Sequence, residues 1–525
     1  MSIAEAGAAG LRAVPRGLTR GLWLLLVLLG WELLARVSAS AFVIAAPSQI
    51  LQHAASHAGL LWRAFLTTLW AAARGFFWGN LAGITLALVA VMLPRTERLL
   101  ATLALLVFCL PLVATGPILR VLYGPGEGPQ VTLAALAVYY TTFLPVMVGL
   151  RAVPQGWLDL VRSYGRGGLT LLREVRLPAA LPYAVAGLQI AAPAAFLGAM
   201  VGEFTGAERG LGVLTVRALR ALDLPATWTI AVIAAGASVA AFAAIGALGR
   251  RLELAPPEVL LAAPAPRQSR RWAGLANGAL ALVVTLLLWK GAMEAFGLPQ
   301  FFAKRPEDVW TYLLTDAAAR ARLLEALAET LSLALPGYLC GLGAGAGLAM
   351  ALALAPRLSS AILPLAITLR SIPIVATAPL IVWALGRGAA GTVAVVALMI
   401  FLPTLVACRH GLARTPRAVL DVFAVYAASP LRRLLGAQLA AMLPAFFASA
   451  RMAIPAAILA VTTAEWLATG RGIGALMATV ASTSDYNMLW AAIALIGLAA
   501  ALAHGLVSAL ERRILARTNP EQLAR

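Results

Sequence analysis

The chain has 525 residues, of which 61% are hydrophobic and 12% charged, with a mean hydropathy of +0.88. Soluble globular domains carry about a quarter of their residues as charges, so this composition excludes a water-soluble enzyme or binding domain and points to a bilayer. The formal net charge of +19 reads as arginine-rich cytoplasmic loops that set orientation, and it implies no nucleic-acid partner.

In chain order, Arg12, Arg16 and Arg20 precede an apolar run and the small-residue stretch Ser-Ala-Ser-Ala at 38–41, a passable signal peptide. The matching segment of the second half, 272–296, is internal and cannot be a signal, so a retained first span is expected. Apolar runs near the length of a bilayer span fall at 21–37, 62–93, 98–122, 130–150, 181–203 and 227–249. His53 and His57 share a helix face but make an incomplete metal site, and they read as part of a solvated amphipathic segment. Gly75, Gly79 and Gly83, spaced by four, give a smooth strip against which a neighbouring helix can pack closely. Between the fourth and fifth runs lies a basic, half-polar stretch with Arg162, Arg166, Arg173 and Arg176, broken by Gly165, Gly167 and Gly168 into two short helices. Pro178, Pro182 and Pro193 follow and would stiffen and kink the junction into the fifth span.

After a Pro-rich, charged linker at 253–271 the pattern returns, with runs at 273–296, 326–354, 358–385, 389–410, 443–466 and 488–510. A shift of 262 residues superposes Gly75, Gly79 and Gly83 on Gly337, Gly341 and Gly345, Pro111 on Pro373, Tyr164 on Tyr426, Pro193 on Pro455, Glu203 on Glu465, Gly212 on Gly474, Asp223 on Asp485 and Trp228 on Trp490. So many coincidences of infrequent residues mark a tandem duplication. The expected architecture is an all-α polytopic membrane protein of about twelve spans, with repeats at 1–252 and 272–525. An even number of spans per repeat makes the two copies parallel. The arginines of the linker and N-terminus place that side, both termini and both basic stretches in the cytoplasm. Arg209, Arg217 and Arg220 then fall on the far side, a mild exception to the charge rule offset by Glu203, Glu208 and Asp223.

Cys109, Cys340 and Cys408 lie singly in apolar segments and read as small buried hydrophobes. Glu32 and Lys290 occupy Trp-Glu and Trp-Lys contexts in the two first spans and are expected either to snorkel or to pair with each other. Glu203 and Glu465 close the fifth span of each repeat. Two roles stand side by side for them: an outer gate or pathway position, together with Pro193 and Pro455, or a carboxylate pinning the next loop through backbone N–H groups or through Arg209 and Arg471. No phosphate-binding Gly-rich loop with a lysine occurs, and the run 341–347 reads as helix packing, so the chain is expected to bind no ATP and to catalyse no reaction.

The basic stretch resembles the cytoplasmic signature of ABC importer permeases, E-A-A-x3-G-x9-I-x-L-P. Asp159, Gly165, Val175, Leu177 and Pro178 fall at its spacing, with Tyr164 and Arg166 flanking the glycine. The second copy keeps Asp421, Tyr426 and Leu439 but has Ala427 for the glycine and Ala440 for the proline. The segments Leu177–Gly212 and Met442–Gly474 are similar to the nitrate, sulfonate, taurine, bicarbonate and thiamine-precursor permeases. This resemblance implies a type I importer fold in a bacterial inner membrane, with two separate ATPase subunits carrying ATP and Mg and a solute-binding protein delivering cargo. In that picture the basic stretches are coupling helices seated on the ATPases. A gradient-driven secondary transporter with internal repeats is the alternative.

Overall fold

The computed structural model describes residues 16–37, 44–124, 126–253, 271–355, 358, 362, 374–386 and 388–518. Among them every regular element is helical, as a bilayer requires when no water is at hand to satisfy backbone N–H and C=O groups. The first repeat comprises α1 (Arg16–Val37), α2 (Pro47–Ser56), α3 (Ala58–Met92), α4 (Glu97–Phe108), α5 (Leu112–Tyr123), α6 (Gly128–Arg151), α7 (Gln155–Ser163), α8 (Gly168–Phe204), α9 (Leu211–Arg220) and α10 (Leu224–Arg251). The second comprises α11 (Arg271–Ala295), α12 (Pro306–Thr315), α13 (Ala317–Leu354), α14 (Ile374–Leu385), α15 (Ala389–Ala413), α16 (Arg417–Val425), α17 (Pro430–Thr469), α18 (Gly472–Ser482) and α19 (Tyr486–Thr518). The linker at 254–270 lies outside the described residues.

Nine described helices are individually long and apolar enough to cross a membrane. The run at 98–122, expected as one span, is instead two short helices. Cys109 and Leu110 end α4, and Pro111, with ψ at 117°, starts α5 in an extended conformation. Proline has no N–H to continue the helical ladder, so the break falls there. Of its twin at 358–385, α14 is the part whose course is described.

Each repeat is built around one close helix pair. A Cβ added to Gly79 would lie 2.6 Å from the Ala135 carbonyl oxygen of α6, and one on Gly83 would lie 2.4 Å from that of Tyr139. In the second repeat Gly341 and Gly345 meet the carbonyls of Ala397 and Phe401 on α15, both at 2.7 Å. Gly343 and Gly347, in the same run, have nothing within 4 Å, so only the four-spaced glycines make the contact. The repeats then exchange short elements. α14 packs on α8, α9 and α10 of the first repeat, placing Leu380 in its core, while α5 packs on α17 and α18 of the second.

Two further expectations change. Cys340 is exposed on α13, whereas Cys109 and Cys408 are buried. Glu32 and Lys290 do not pair with each other. Glu32 takes Arg36 at 2.8 Å and accepts from the Ser48 backbone N–H at 3.0 Å, so it caps α2. Lys290 reaches Glu307 in the first turn of α12 at 2.8 Å, which holds that carboxyl below its ordinary range. Each first span thus holds the helix that follows it through a polar contact of opposite sense, beside a tryptophan contact, Trp31 on Trp228 at 5.5 Å and Trp289 on Trp490 at 5.1 Å.

Replacing Gly79 or Gly341 by Leu should cost about 1–3 kcal/mol through overpacking and lower the thermal unfolding midpoint of the purified protein. Gly343→Leu should leave it unchanged. Equal midpoints for all three would remove the close pairs from this account.

Candidate functional site

Two features are duplicated and a third lies between the repeats; the basic stretches come first. α7 and α16 each start after a proline, Pro154 and Pro416, and run nine residues. Both end in the same turn. In the first, the N–H of Gly165 donates to Arg162 O (2.9 Å) and that of Arg166 to Val161 O (3.3 Å); in the second, Ala427 donates to Ala424 O and Ala428 to Phe423 O, both at 2.9 Å. This helix-ending pattern needs a left-handed residue, and Gly165 (φ 68°) and Ala427 (φ 47°) supply it. The second copy therefore keeps the bend without the glycine, at the steric cost of a Cβ. The Ser429 hydroxyl compensates in part by accepting from Arg432 N at 3.3 Å at the start of α17, where the first copy has Gly167.

Beyond the turn each chain enters a π-helical turn, Leu171–Arg176 or Leu434–Gln438, which leads without interruption into the long span. Val153, Leu158 and Leu171 form a small buried cluster joined by Val161 and Val175, so Val175 fastens α7 to α8. The outer side of the stretch is bare. Tyr164 is 76% exposed and Tyr426 80%, and Trp157, Leu160, Val422 and Val425 are also exposed. Asp159, Arg166, Leu177, Pro178 and Asp421 are exposed as well, and Leu439 is half-buried. Asp159 pairs with Arg162 at 3.3 Å on the surface, a contact of little energetic weight.

At the opposite end of α8 and α17 sit the two carboxylates. Glu203 accepts from Thr68 Oγ1 of α3 at 2.7 Å and from the Gly212 N–H at 2.6 Å, while the Leu211 N–H donates to the same Thr68 hydroxyl at 2.9 Å. Glu465 repeats this with Thr330 (2.8 Å), Gly474 (2.8 Å) and Ile473 (2.8 Å). A Cβ at Gly210 or Gly472 would lie 2.2 Å from the carboxylate, which is why glycine stands at the start of each short helix. Both carboxylates are buried, at 2% and 0% exposure, whereas Arg209 and Arg471 are exposed. The second repeat adds Glu329, which accepts from Gly472 N at 2.9 Å; its counterpart is Thr67. Nothing local in the sequence marks Thr68 and Thr330, although the 262-residue shift pairs them.

The third feature is a cavity of about 230 Å³ between the repeats. Its walls pair by the same shift: Thr141 with Pro403, Ile190 with Met452, Ala194 with Ala456 and Leu197 with Leu459. The cavity thus straddles the pseudo-two-fold axis, between α6 and α8 of one repeat and α15 and α17 of the other. Its hydroxyls are already bonded, Thr141 to Val138 O at 2.7 Å and Ser449 to Thr404 at 3.0 Å. Pro455 lines it, while Pro193 and the two carboxylates are not among its lining residues.

The model of the binding-protein-dependent transport system inner membrane component family matches residues 79–254 and 341–516, two stretches related by the internal shift. The chain belongs to this family. It is similar to a probable ABC transporter permease protein of Haemophilus influenzae, 33% identical over 193 residues that make up 37% of this chain and 79% of the relative. It is similar to the formylaminopyrimidine transport permease protein ThiX of Halalkalibacterium halodurans, 27% identical over 43% of this chain and 90% of the relative. A putative aliphatic sulfonates transport permease protein, SsuC of Escherichia coli, is 29% identical over 31% of this chain and 62% of the relative. No solved structure matches. The ABC permease is thus a multi-pass membrane protein with two copies of the family unit, a transport subunit and not an enzyme.

Ala427→Gly should slow hydrogen exchange of the amides following α16, and Gly165→Ala should speed it after α7, each by the factor expected of about 1 kcal/mol. Glu203→Ala and Glu465→Ala should each cost about 1–3 kcal/mol by leaving the buried N–H of Gly212 or Gly474 without an acceptor, seen as a lower unfolding midpoint. Gln at the same positions keeps one acceptor and should cost less.

Proposed function

We propose that this chain supplies both membrane halves of an ATP-driven importer in a bacterial inner membrane, with repeats at 1–252 and 272–525 and both termini in the cytoplasm. Two ATPase subunits, holding ATP and Mg, seat α7 and α16, and a solute-binding protein delivers a small solute to the opposite face. The observation that carries this reading is the pair of α7 and α16 turns, which share one hydrogen-bond pattern and present Tyr164 and Tyr426 uncovered. Exposed apolar surface at a span end, outside the lipid-facing bands, is what a protein partner would cover.

The mechanism follows from the connections. Closure of the ATPases on ATP moves α7 and α16 together. The apolar attachment of α7 to α8, and the π-helical turns at both junctions, pass that displacement into α8 and α17, which form two walls of the axial cavity. The Thr68–Glu203 and Thr330–Glu465 clamps fix the far ends of the same helices to α3 and α13, so a push at one end becomes a tilt about the other. In this role Glu203, Glu465, Pro193 and Pro455 shape the outer gate. The solute class is that of the relatives' names, an aliphatic sulfonate or a formylaminopyrimidine-like compound.

The test is purification with the ATPase subunits of the same operon. Wild type should retain them, and Tyr164→Ala with Tyr426→Ala should lose them or lose at least tenfold in transport per ATP, with membrane insertion intact. Uptake that persists without ATP, or a wild type that binds no ATPase, would end this reading.

A further inference from the structure

The flank of the first repeat carries a groove. Two adjoining hollows of about 360 Å³ each share Trp78, Ala82 and Leu86. Together they run along α3 from Trp78 to Val89 and along α4 from Leu100 to Val107, with α6 behind them at Ala135 and Tyr139. The rim on α3 is made by exposed Trp78, Leu81, Thr85 and Val89. The 262-residue shift gives Cys340, Gly343, Gly347 and Ala351 on α13, so the second repeat has no such rim. Two of the three hydroxyls in the groove are already spent: Tyr139 donates to Ala104 O, and Thr132 donates to the Tyr123 hydroxyl at 3.1 Å. What is left for a ligand is mainly hydrocarbon.

The length and the closed end of the groove narrow what can fill it. Trp78 to Val89 spans about 16 Å of helix at about 1.5 Å per residue, and half of a hydrocarbon core of about 30 Å is about 15 Å. The groove therefore has the depth of one leaflet. It ends at the turn joining α3 to α4, where the Thr96 N–H donates to Leu93 O at 3.0 Å. Arg95 in that turn and Arg98 in the first turn of α4 are both exposed. The acid between them, Glu97, is paired with Arg151 of α6, and among the described residues no carboxylate pairs with either arginine.

We propose that the first repeat binds one anionic phospholipid, with an acyl chain in this groove and the phosphate at Arg95 and Arg98. A hydrocarbon slot one leaflet deep, closed at one end by positive charge that no acid neutralises, favours that molecule over a zwitterionic lipid or a free anion. The leaflet, the cytoplasmic one, rests on the orientation given with the importer reading; the site itself does not. Val107 and Leu136 line both the groove and the axial cavity, so a seated chain backs the wall of the pathway.

The experiment uses the full chain, delipidated in detergent and titrated with dioleoylphosphatidylglycerol or dioleoylphosphatidylcholine, with bound lipid read by native mass spectrometry. Wild type should hold one phosphatidylglycerol about tenfold more tightly than phosphatidylcholine, the size expected of two arginines at a membrane surface. Arg95→Gln with Arg98→Gln should remove that preference and leave the weaker binding of both lipids in place. Leu81→Ala with Val89→Ala, which lowers the rim, should weaken both lipids severalfold and keep the preference. Glycerophosphoglycerol, the headgroup without chains, should not compete. Equal retention of the two lipids by wild type, a preference that survives the arginine pair, or a rim pair without effect would each overturn the proposal. So would competition by the headgroup alone, or a dimer of the chain in place of the lipid adduct. No ATPase is present in these measurements, so their failure leaves the importer reading standing. A wild type that retains phosphatidylglycerol but binds no ATPase would end that reading and leave the site.

Discussion

The close approach of α3 to α6, and of α13 to α15, is the contact on which the rest depends. Lipid tails are as apolar as leucine, so spans associate through packing and polar contacts and not through escape from water. Four-spaced glycines bring two backbones together until no Cβ fits between them. Once that pair is set, Thr68 and Thr330 are held where the carboxylates of α8 and α17 can reach them. The loops then close over those carboxylates because Gly210 and Gly472 leave room. Each step consumes a group that the bilayer would otherwise leave unsatisfied, so the order of contacts is a chain of obligations more than a sum of independent bonds.

Duplication keeps this chain of contacts and releases everything outside it. The clamps agree in every partner, and the turns after α7 and α16 agree in every hydrogen bond, although one uses glycine and the other alanine. Away from these the repeats drift. Arg451 pairs with Glu511 in the second repeat, where the shift gives Gln189 and Gly249 in the first. Glu32 and Lys290 hold equivalent helices with opposite charges. Two separate identical subunits could not diverge in this way, because any change would appear on both sides of the axis. The fused chain therefore has a freedom that the axis denies a homodimer.

Much of this was legible because the repeat is its own alignment. A constant shift over rare residues revealed the two units, the bend-bearing basic stretches and the paired carboxylates before any coordinates. What escaped has a common cause. The break at Pro111 sits in an uninterrupted apolar run, and hydropathy does not register a missing N–H. Exposure of Cys340 depends on which face of α13 meets lipid, and both faces are apolar. Thr68 meets Glu203 across 135 positions, and a threonine in a helix carries no local mark of a distant partner. The turn at Ala427 looked like a lost signature because the signature names a residue, while the fold asks for a left-handed backbone.

The clamp also bears on which of two roles the carboxylates take. A carboxylate that faced a water-filled pathway would be solvated and would leave its loop free. Here both oxygens of Glu203 are committed, one to the Thr68 hydroxyl and one to a backbone N–H, and Glu465 repeats the arrangement. The pinning geometry and a gating part are not opposed. A lever needs a fulcrum, and α8 and α17 are fastened at one end by these buried bonds and at the other to helices whose tyrosines lie bare. The axial cavity lies between those ends, where tilting would change its width. A fulcrum of hydrogen bonds buried from water is stiffer than one of surface ion pairs, since neither solvent nor salt competes for its partners. In the proposed mechanism, that stiffness would let a small motion at α7 and α16 arrive at the cavity undiminished.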